Sequence, residues 1–270
     1  MANWCTVTAI LGGVLERVLC RCQLEPRFAQ SMKRRLKKWI YAIGSRVAVK
    51  KLERVIREIE NTETEKLADG AFLEAKIRQI GLRHDGRGLY GDDGRDMNFL
   101  APGLWQIPGQ LAGAMALLAR HRIASFLEVG TADGFTFSFM AACLLRLNPG
   151  LKATTIDINP NPASSSRIAF AAPVEFVVGK TSDAFAERVF DLVFIDGNHS
   201  YEWVVRDYQN VGRQARVCMF HDINDQLCGE QSVPRFWKEL KVAESGRADF
   251  HEFLFHSSSD KVMGIGIRIR

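Results

Sequence analysis

Four short clusters in this 270-residue chain combine carboxylates, glycines and histidines at spacings that suit chemistry. The first is Glu128-Val129-Gly130-Thr131-Ala132-Asp133-Gly134, an acid followed by a GxxxG turn. Glycines let a backbone turn sharply and approach a ligand closely. The segment lacks the GxGxxG spacing of a dinucleotide site. Glu128 would repel a pyrophosphate but suits a cationic ligand carrying an ammonium and a sulfonium. The second is Asp157, 29 residues after Glu128, which can accept both hydroxyls of a ribose or serve as a plain turn aspartate before Asn159-Pro160. The third, Gly179-Lys180-Thr181-Ser182-Asp183, offers polar groups for an adenine edge, or simple N-caps. The fourth runs Asp196-Gly197-Asn198-His199-Ser200-Tyr201 and is followed, further on, by His221-Asp222-Ile223-Asn224-Asp225. Carboxylates of this kind can hold a hard divalent cation, and an imidazole near neutrality can take a proton.

Each cluster must sit at the end of a strand for those groups to converge, and the periodicity predicts that. Short apolar runs at Ala124–Val129, Ala153–Ile158, Val174–Val178, Leu192–Asp196 and Val217–Phe220 alternate with helical stretches at Pro108–Leu118, Phe135–Leu147, Thr181–Arg188 and Tyr201–Arg213. Continuous runs such as Leu192-Val193-Phe194-Ile195 belong to strands buried on both faces, as in a parallel sheet. Strand–helix repetition with right-handed crossovers gives a doubly wound α/β layout, whose ligands bind beyond the strand carboxyl ends. After a helix near Pro234–Leu240, the strands Phe250–Phe255 and Val262–Ile269 are close enough in sequence to form an antiparallel hairpin. Gly81 to Gly109 is rich in Gly, Asp and Arg and reads as a linker or lid, with a boundary near residue 100. The expected organisation is a basic helical extension over residues 1–80, a linker over 81–100 and a catalytic domain over 101–270.

The net charge of +5 is unevenly spread. Residues 1–60 hold 13 Lys/Arg against 5 Asp/Glu, while the remaining 210 hold 23 against 26. Leu36, Trp39, Ile40, Ile43 and Val47, then Leu52, Val55, Ile56 and Ile59, recur at helical spacing beside Lys33, Arg34, Arg35, Lys37 and Lys38. This is an amphipathic basic helix, expected to break near Gly44–Ser45. Its plainest role is packing on the body or on a partner subunit in a homo-oligomer. Its charge over residues 33–54 also suits nucleic acid, an anionic membrane surface or an import sequence. No apolar run reaches the length of a membrane span; Val7–Leu19 is broken by Glu16 and Arg17. Six scattered cysteines without a CxxC pair point to reduced thiols and a cytoplasmic setting, with organelle import or peripheral membrane association as the alternative.

Glu128–Gly134, Asp157 and Asp196–Tyr201, in this order, resemble a class I S-adenosylmethionine-dependent methyltransferase. The segment from Ile195 to Tyr208, IDGNHSYEWVVRDY, is similar to the small-molecule O-methyltransferase group that includes macrocin-type and cephalosporin-hydroxylase-like proteins. The likeness covers about residues 100–270, and DGxHxY after an apolar strand is its most specific part. It implies a Rossmann-like fold whose mostly parallel seven-stranded sheet has an antiparallel C-terminal strand. Carried onto this chain, it implies S-adenosylmethionine as cofactor, with Glu128, Gly130, Thr131, Asp133 and Gly134 around its methionine end. Asp157 would take the ribose, Thr181 and Ser182 the adenine, with Asp196 beside the cofactor. In metal-dependent members Asp196 and Asp222 hold magnesium, and the position of His199 carries the general base. The group commonly places two metal-binding side chains in succession after the fifth strand, and Ile223 cannot ligate. Either Asn224 or Asp225 supplies a third ligand, or the site is metal-free. His221 is a rival base or, more plainly, a satisfied histidine beside the sheet. Trp105 and Gln110 precede or open the first helix of the domain, where such folds close over the cofactor.

The leading expectation is therefore O-methylation of a small hydroxylated acceptor, a sugar or a phenol. A methyltransferase acting on nucleic acid or protein through the basic helix is the first alternative. A nicotinamide oxidoreductase on the same sheet, or a degenerate binding protein, is the second.

Overall fold

Five strands in the middle of the chain lose the apolar/polar alternation and stack side by side in parallel. They are β1 (Ser125–Val129), β2 (Lys152–Asp157), β3 (Val174–Val178), β4 (Leu192–Ile195) and β5 (Val217–His221). The computed structural model describes residues 26–81, 103–158, 170, 173–224, 231–255 and 262–270, with residues 26–42 as helix backbone. The linker or lid expected over 81–100, the Val7–Leu19 run and Asp225 lie outside the described residues, apart from Gly81. Two further strands, β6 (Asp249–Phe255) and β7 (Val262–Ile269), pair with each other and β7 pairs with β5, both antiparallel. The sheet order is β3-β2-β1-β4-β5-β7-β6, so the chain reverses its winding between β1 and β4. The crevice at that reversal lies above the carboxyl ends of β1 and β4, the place where such sheets take ligands.

Alternate residues of each strand feed two separate apolar layers. Phe126, Phe194 and Met219 face one side, Leu127, Val193 and Phe220 the other. The first layer is closed by α1 (Pro26–Glu60), α2 (Gly70–Ile80), α3 (Pro108–Leu118) and α4 (Phe135–Leu147). The second is closed by α5 (Tyr201–Asp207), which widens into a π turn at Tyr208–Gly212, and by α6 (Val233–Ala243). The turn widens where Gly212 meets the sheet: a Cβ there would lie 2.8 Å from Tyr208 Cδ2 and 2.9 Å from Cys218 Sγ.

The basic helix does not break at Gly44–Ser45. It runs unbroken from Pro26 to Glu60. One glycine in a helix costs only about 1 kcal/mol. Against that, Leu52, Val55, Ile56 and Ile59 are buried in the same core as α3 and α4, each contributing roughly 1.5–3 kcal/mol. Lys76 Nζ meets Glu58 at 2.6 Å, and Arg146 of α4 donates to the Thr62 carbonyl at 2.7 Å. The apolar stripe of α1 is thus packed on the body over its C-terminal half. Among the described residues, no helix is long and apolar enough to cross a membrane.

Candidate active site

The turn after β1 is held by a demand no side chain could meet. Gly130 has φ +102°, and a Cβ on it would lie 2.1 Å from the Asp196 carbonyl oxygen. The close approach arises because β1 and β4 are paired to their last residues: Asp196 N donates to Val129 O at 2.9 Å, and Gly130 N donates to Ile156 O at 2.9 Å. Gly134, at φ +71°, then starts α4, and Ala132 is held at φ +43°. The Ala132 N–H donates to Asp157 Oδ2 at 2.9 Å, so the carboxylate ending β2 is tied to the glycine turn.

Behind the turn, Glu128 is 1% exposed and takes a 2.6 Å hydrogen bond from Thr155 Oγ1, which in turn lies 2.7 Å from Thr131 Oγ1. Burial pushes the Glu128 carboxyl well above its ordinary pKa; the Thr155 bond opposes this, and the nearby Asp196 and Asp157 charges add to it. Glu128 and Thr131 therefore brace the turn from inside, and Asp133 is also buried.

Across the crevice, β4 and β5 deliver a compact polar cluster. His221 Nδ1 lies 3.1 Å from Asp196 Oδ1 and 3.3 Å from Asp222 Oδ2. His199, at the start of the loop into α5, places Nδ1 3.0 Å from Asp222 Oδ2 and Nε2 3.8 Å from Asp196 Oδ1. The other Asp196 oxygen accepts from Gln106 Nε2 at 2.6 Å, and Gln106 Oε1 accepts a short bond from Thr136 of α4. Asp222 sits at φ +60°, a left-handed backbone that is uncommon outside glycine and costs energy unless its surroundings hold it. Asp222 Oδ1 and His221 Nε2 are both buried without a hydrogen-bonding partner.

Burial alone would lower the His221 pKa; the Asp222 and Asp196 charges outweigh it and hold the imidazole up at about 10. Burial would likewise raise Asp222 and Asp196, yet the His221 charge and the histidine hydrogen bonds pull both below the usual carboxylate range. The folded chain thus holds the His221 proton more tightly than the unfolded chain does. That stabilisation is complete below pH 6.5 and is lost as the pH rises through about 10. Buried Glu128, also raised, works in the same direction above its ordinary 4.5. In chelator-treated protein the melting temperature should fall over that alkaline window. The fall should be shallower in His221→Gln, whose side chain has no imidazolium to lose; equal slopes would remove the ion-pair account.

The structure brings Glu128, Gly130, Thr131, Gly134, Asp157, Asp196, His199 and Asp222 to one sheet edge. It treats the remaining candidates differently. The Ser182 side chain is fully buried; its hydroxyl donates to Asp207 Oδ1 at 2.6 Å and accepts from Asn210 at 3.0 Å. Thr181 donates to Asp183, which pairs with Arg206. Asn224 bonds through its backbone N–H to Met263 O at 2.7 Å, and Ile223 is buried. His221, read from sequence as a rival base or a satisfied histidine, lies beside both Asp196 and Asp222. Asp196, His221 and Asp222 each present a ligand atom within 4.8 Å of the other two, a set that fits a metal ion. Gln110 is buried, accepting from Gly264 N at 3.1 Å, while Trp105 is 37% exposed. Gln106 carried no sequence signal, since its partner Asp196 lies 90 residues away.

A search of curated proteins gave no match. Solved structures with overlapping folds include the O-methyltransferase TomG from Streptomyces achromogenes in complex with SAM, at 23% identity and a TM-score of 0.46, covering 61% of this chain and 80% of TomG. A Bacillus cereus O-methyltransferase in complex with SAH aligns at 16% identity and TM-score 0.44, covering 57% of this chain and 77% of that one. The SAH-bound Podospora anserina methyltransferase PaMTH1 aligns at 17% identity and TM-score 0.45, covering 61% and 79%. A family described as a methyltransferase domain matches residues 127–223, which span the glycine turn, Asp157, Asp196, His199 and Asp222. The chain is thus similar to a methyltransferase domain over the stretch that carries the parallel strands β1 to β5.

Proposed function

We propose that this protein transfers a methyl group from S-adenosylmethionine to a hydroxyl of a small acceptor, with His199 as general base. The observation that carries the reading is the His199–Asp222 contact of 3.0 Å at the sheet edge facing the glycine turn. A hydroxyl is a poor nucleophile until its proton is removed. Asp222 accepts from Nδ1 and so orients the ring, and Nε2, which faces Asp196 Oδ1 at 3.8 Å, is the atom assigned to take the acceptor's proton. Asp222 is itself held by burial and by His221, so the base has a fixed orientation. His199 is about one-third exposed, which lets an acceptor reach it from solvent.

On the donor side, Asp157 supplies the acceptor oxygens for a ribose and Gly130 the close backbone approach. The Asp196 carboxylate, held in its charged form by His221 and His199, favours positive charge in the crevice. S-adenosylmethionine, when bound, supplies a methyl group on a sulfonium, an electrophile that needs no further activation. A divalent cation on Asp196 and Asp222 would lower the acceptor hydroxyl's pKa.

Calorimetry with S-adenosylmethionine and with NAD tests the donor: binding of the first and not the second is expected, and the reverse would overturn the reading. A screen of hydroxylated acceptors for S-adenosylhomocysteine release then tests the chemistry. Asp157→Ala should weaken S-adenosylmethionine by about 100-fold, the scale of two charge-assisted hydrogen bonds, with the melting curve retained. An unchanged dissociation constant would remove the ribose assignment.

A further inference from the structure

The acid cluster contains one donor that magnesium does not favour. Mg2+ takes oxygen ligands and keeps much of its water, whereas imidazole nitrogen suits the first-row transition ions, whose affinity for nitrogen and oxygen donors rises along the series. Three features of the cluster fit a bound metal ion. Its spacing is the first. Neighbouring ligands on a six-coordinate ion with bonds of about 2.1 Å stand about 3.0 Å apart. His221 Nδ1 stands 3.1 Å from Asp196 Oδ1 and 3.3 Å from Asp222 Oδ2.

The second feature is an unmet demand. Asp222 is 2% exposed, and its Oδ1 has no hydrogen-bonding partner although its Oδ2 meets both histidines. A buried carboxylate oxygen left unpaired is costly, and native structures seldom leave one without a reason. The third is access with support. Asp196 keeps a 13% exposed side chain beside the one-third-exposed His199, while Gln106 fixes its other oxygen. A metal site needs such an entry path and such held ligands.

We infer that Asp196, His221 and Asp222 together bind a divalent first-row transition-metal ion and, through the His221 imidazole, select it over Mg2+. The inference concerns the acceptor side of the site proposed above, but its test reads metal binding alone. A chain that held the metal and no S-adenosylmethionine would sink methyl transfer and leave the metal site standing.

Co2+ is the probe, because its visible d–d absorption reports its ligands directly. The chelator-stripped full-length chain should bind one equivalent of Co2+ and develop these bands. A 100-fold molar excess of Mg2+ should leave them in place, as the order of affinities requires. His221→Gln should weaken Co2+ by about 100-fold, the upper end of the losses seen when a site's supporting groups are removed, with its metal-free melting curve checked in parallel. The inference is overturned if the unaltered chain gives no Co2+ bands, if Mg2+ displaces them, or if a folded His221→Gln chain binds Co2+ undiminished. Should His221→Gln fail to fold, the Mg2+ competition on the unaltered chain decides alone.

Discussion

Replacing His199 with alanine should lower kcat by about two to four orders of magnitude, the usual scale for a lost general base, and leave the S-adenosylmethionine dissociation constant nearly unchanged. The separation follows from where His199 stands. It contacts Asp222 at 3.0 Å, on the β4–β5 side of the crevice, whereas the donor groups Gly130 and Asp157 lie on the β1–β2 side. Removing the ring also removes one partner from Asp222, but His221 remains 3.3 Å from the same oxygen, so the acid keeps a cation beside it. The variant should therefore fold. Its pH–rate profile should lose the ascending limb that the imidazole sets, a change that a merely structural histidine would not produce. Near-normal turnover with an intact profile would move the base elsewhere, and His221 would be the first group to examine.

Much of this arrangement was legible in the residues, because buried parallel strands announce themselves. Leu192-Val193-Phe194-Ile195 has no polar position to alternate with, and all four are buried in β4. The acids that end β2 and follow β4 and β5 interrupt such runs, so Asp157, Asp196 and Asp222 could be placed at one edge before any coordinates. What stayed hidden depends on contacts across long stretches of chain. Gln106 reaches Asp196 over 90 residues, and Thr155 supports Glu128 from the neighbouring strand. Neither residue type is unusual where it stands. His221 was in plain view at the end of Val217-Cys218-Met219-Phe220, but a histidine closing an apolar strand is most often a satisfied core group. Only the meeting of β4 and β5 shows that it faces two carboxylates. Ser182 shows the same dependence on distant chain. A serine after a strand invites a ligand, yet Asp207 one helix away takes its hydroxyl. The continuity of α1 through Gly44 is of the same kind, since helix propensity weighed locally cannot count the burial of Leu52 and Ile59 on α4.

Gly130→Ala should be the most damaging single-atom addition in the domain. The new methyl would stand 2.1 Å from the Asp196 carbonyl oxygen, 2.5 Å from its carbonyl carbon and 2.8 Å from the Gly197 Cα. All three are backbone atoms at the end of a fully buried strand, so no side chain can swing aside to make room. The φ of +102° adds a conformation that alanine rarely adopts. Relief is possible only by prising β1 from β4, which breaks the Asp196 N to Val129 O bond and displaces the carboxylate that Gln106 and His221 hold. A loss of about 3–5 kcal/mol is expected, in the range reserved for core strain and broken networks, together with loss of S-adenosylmethionine binding. Gly179 gives the matched control. It too has positive φ, +74°, but a Cβ there meets nothing within 4 Å. Gly179→Ala should therefore cost only about 1–2 kcal/mol of left-handed strain. Urea melts of the two variants separate steric contact from backbone conformation. If Gly130→Ala matched Gly179→Ala in stability and still bound the donor, the β1–β4 junction would not be the tight backbone crossing on which the donor side of the site depends.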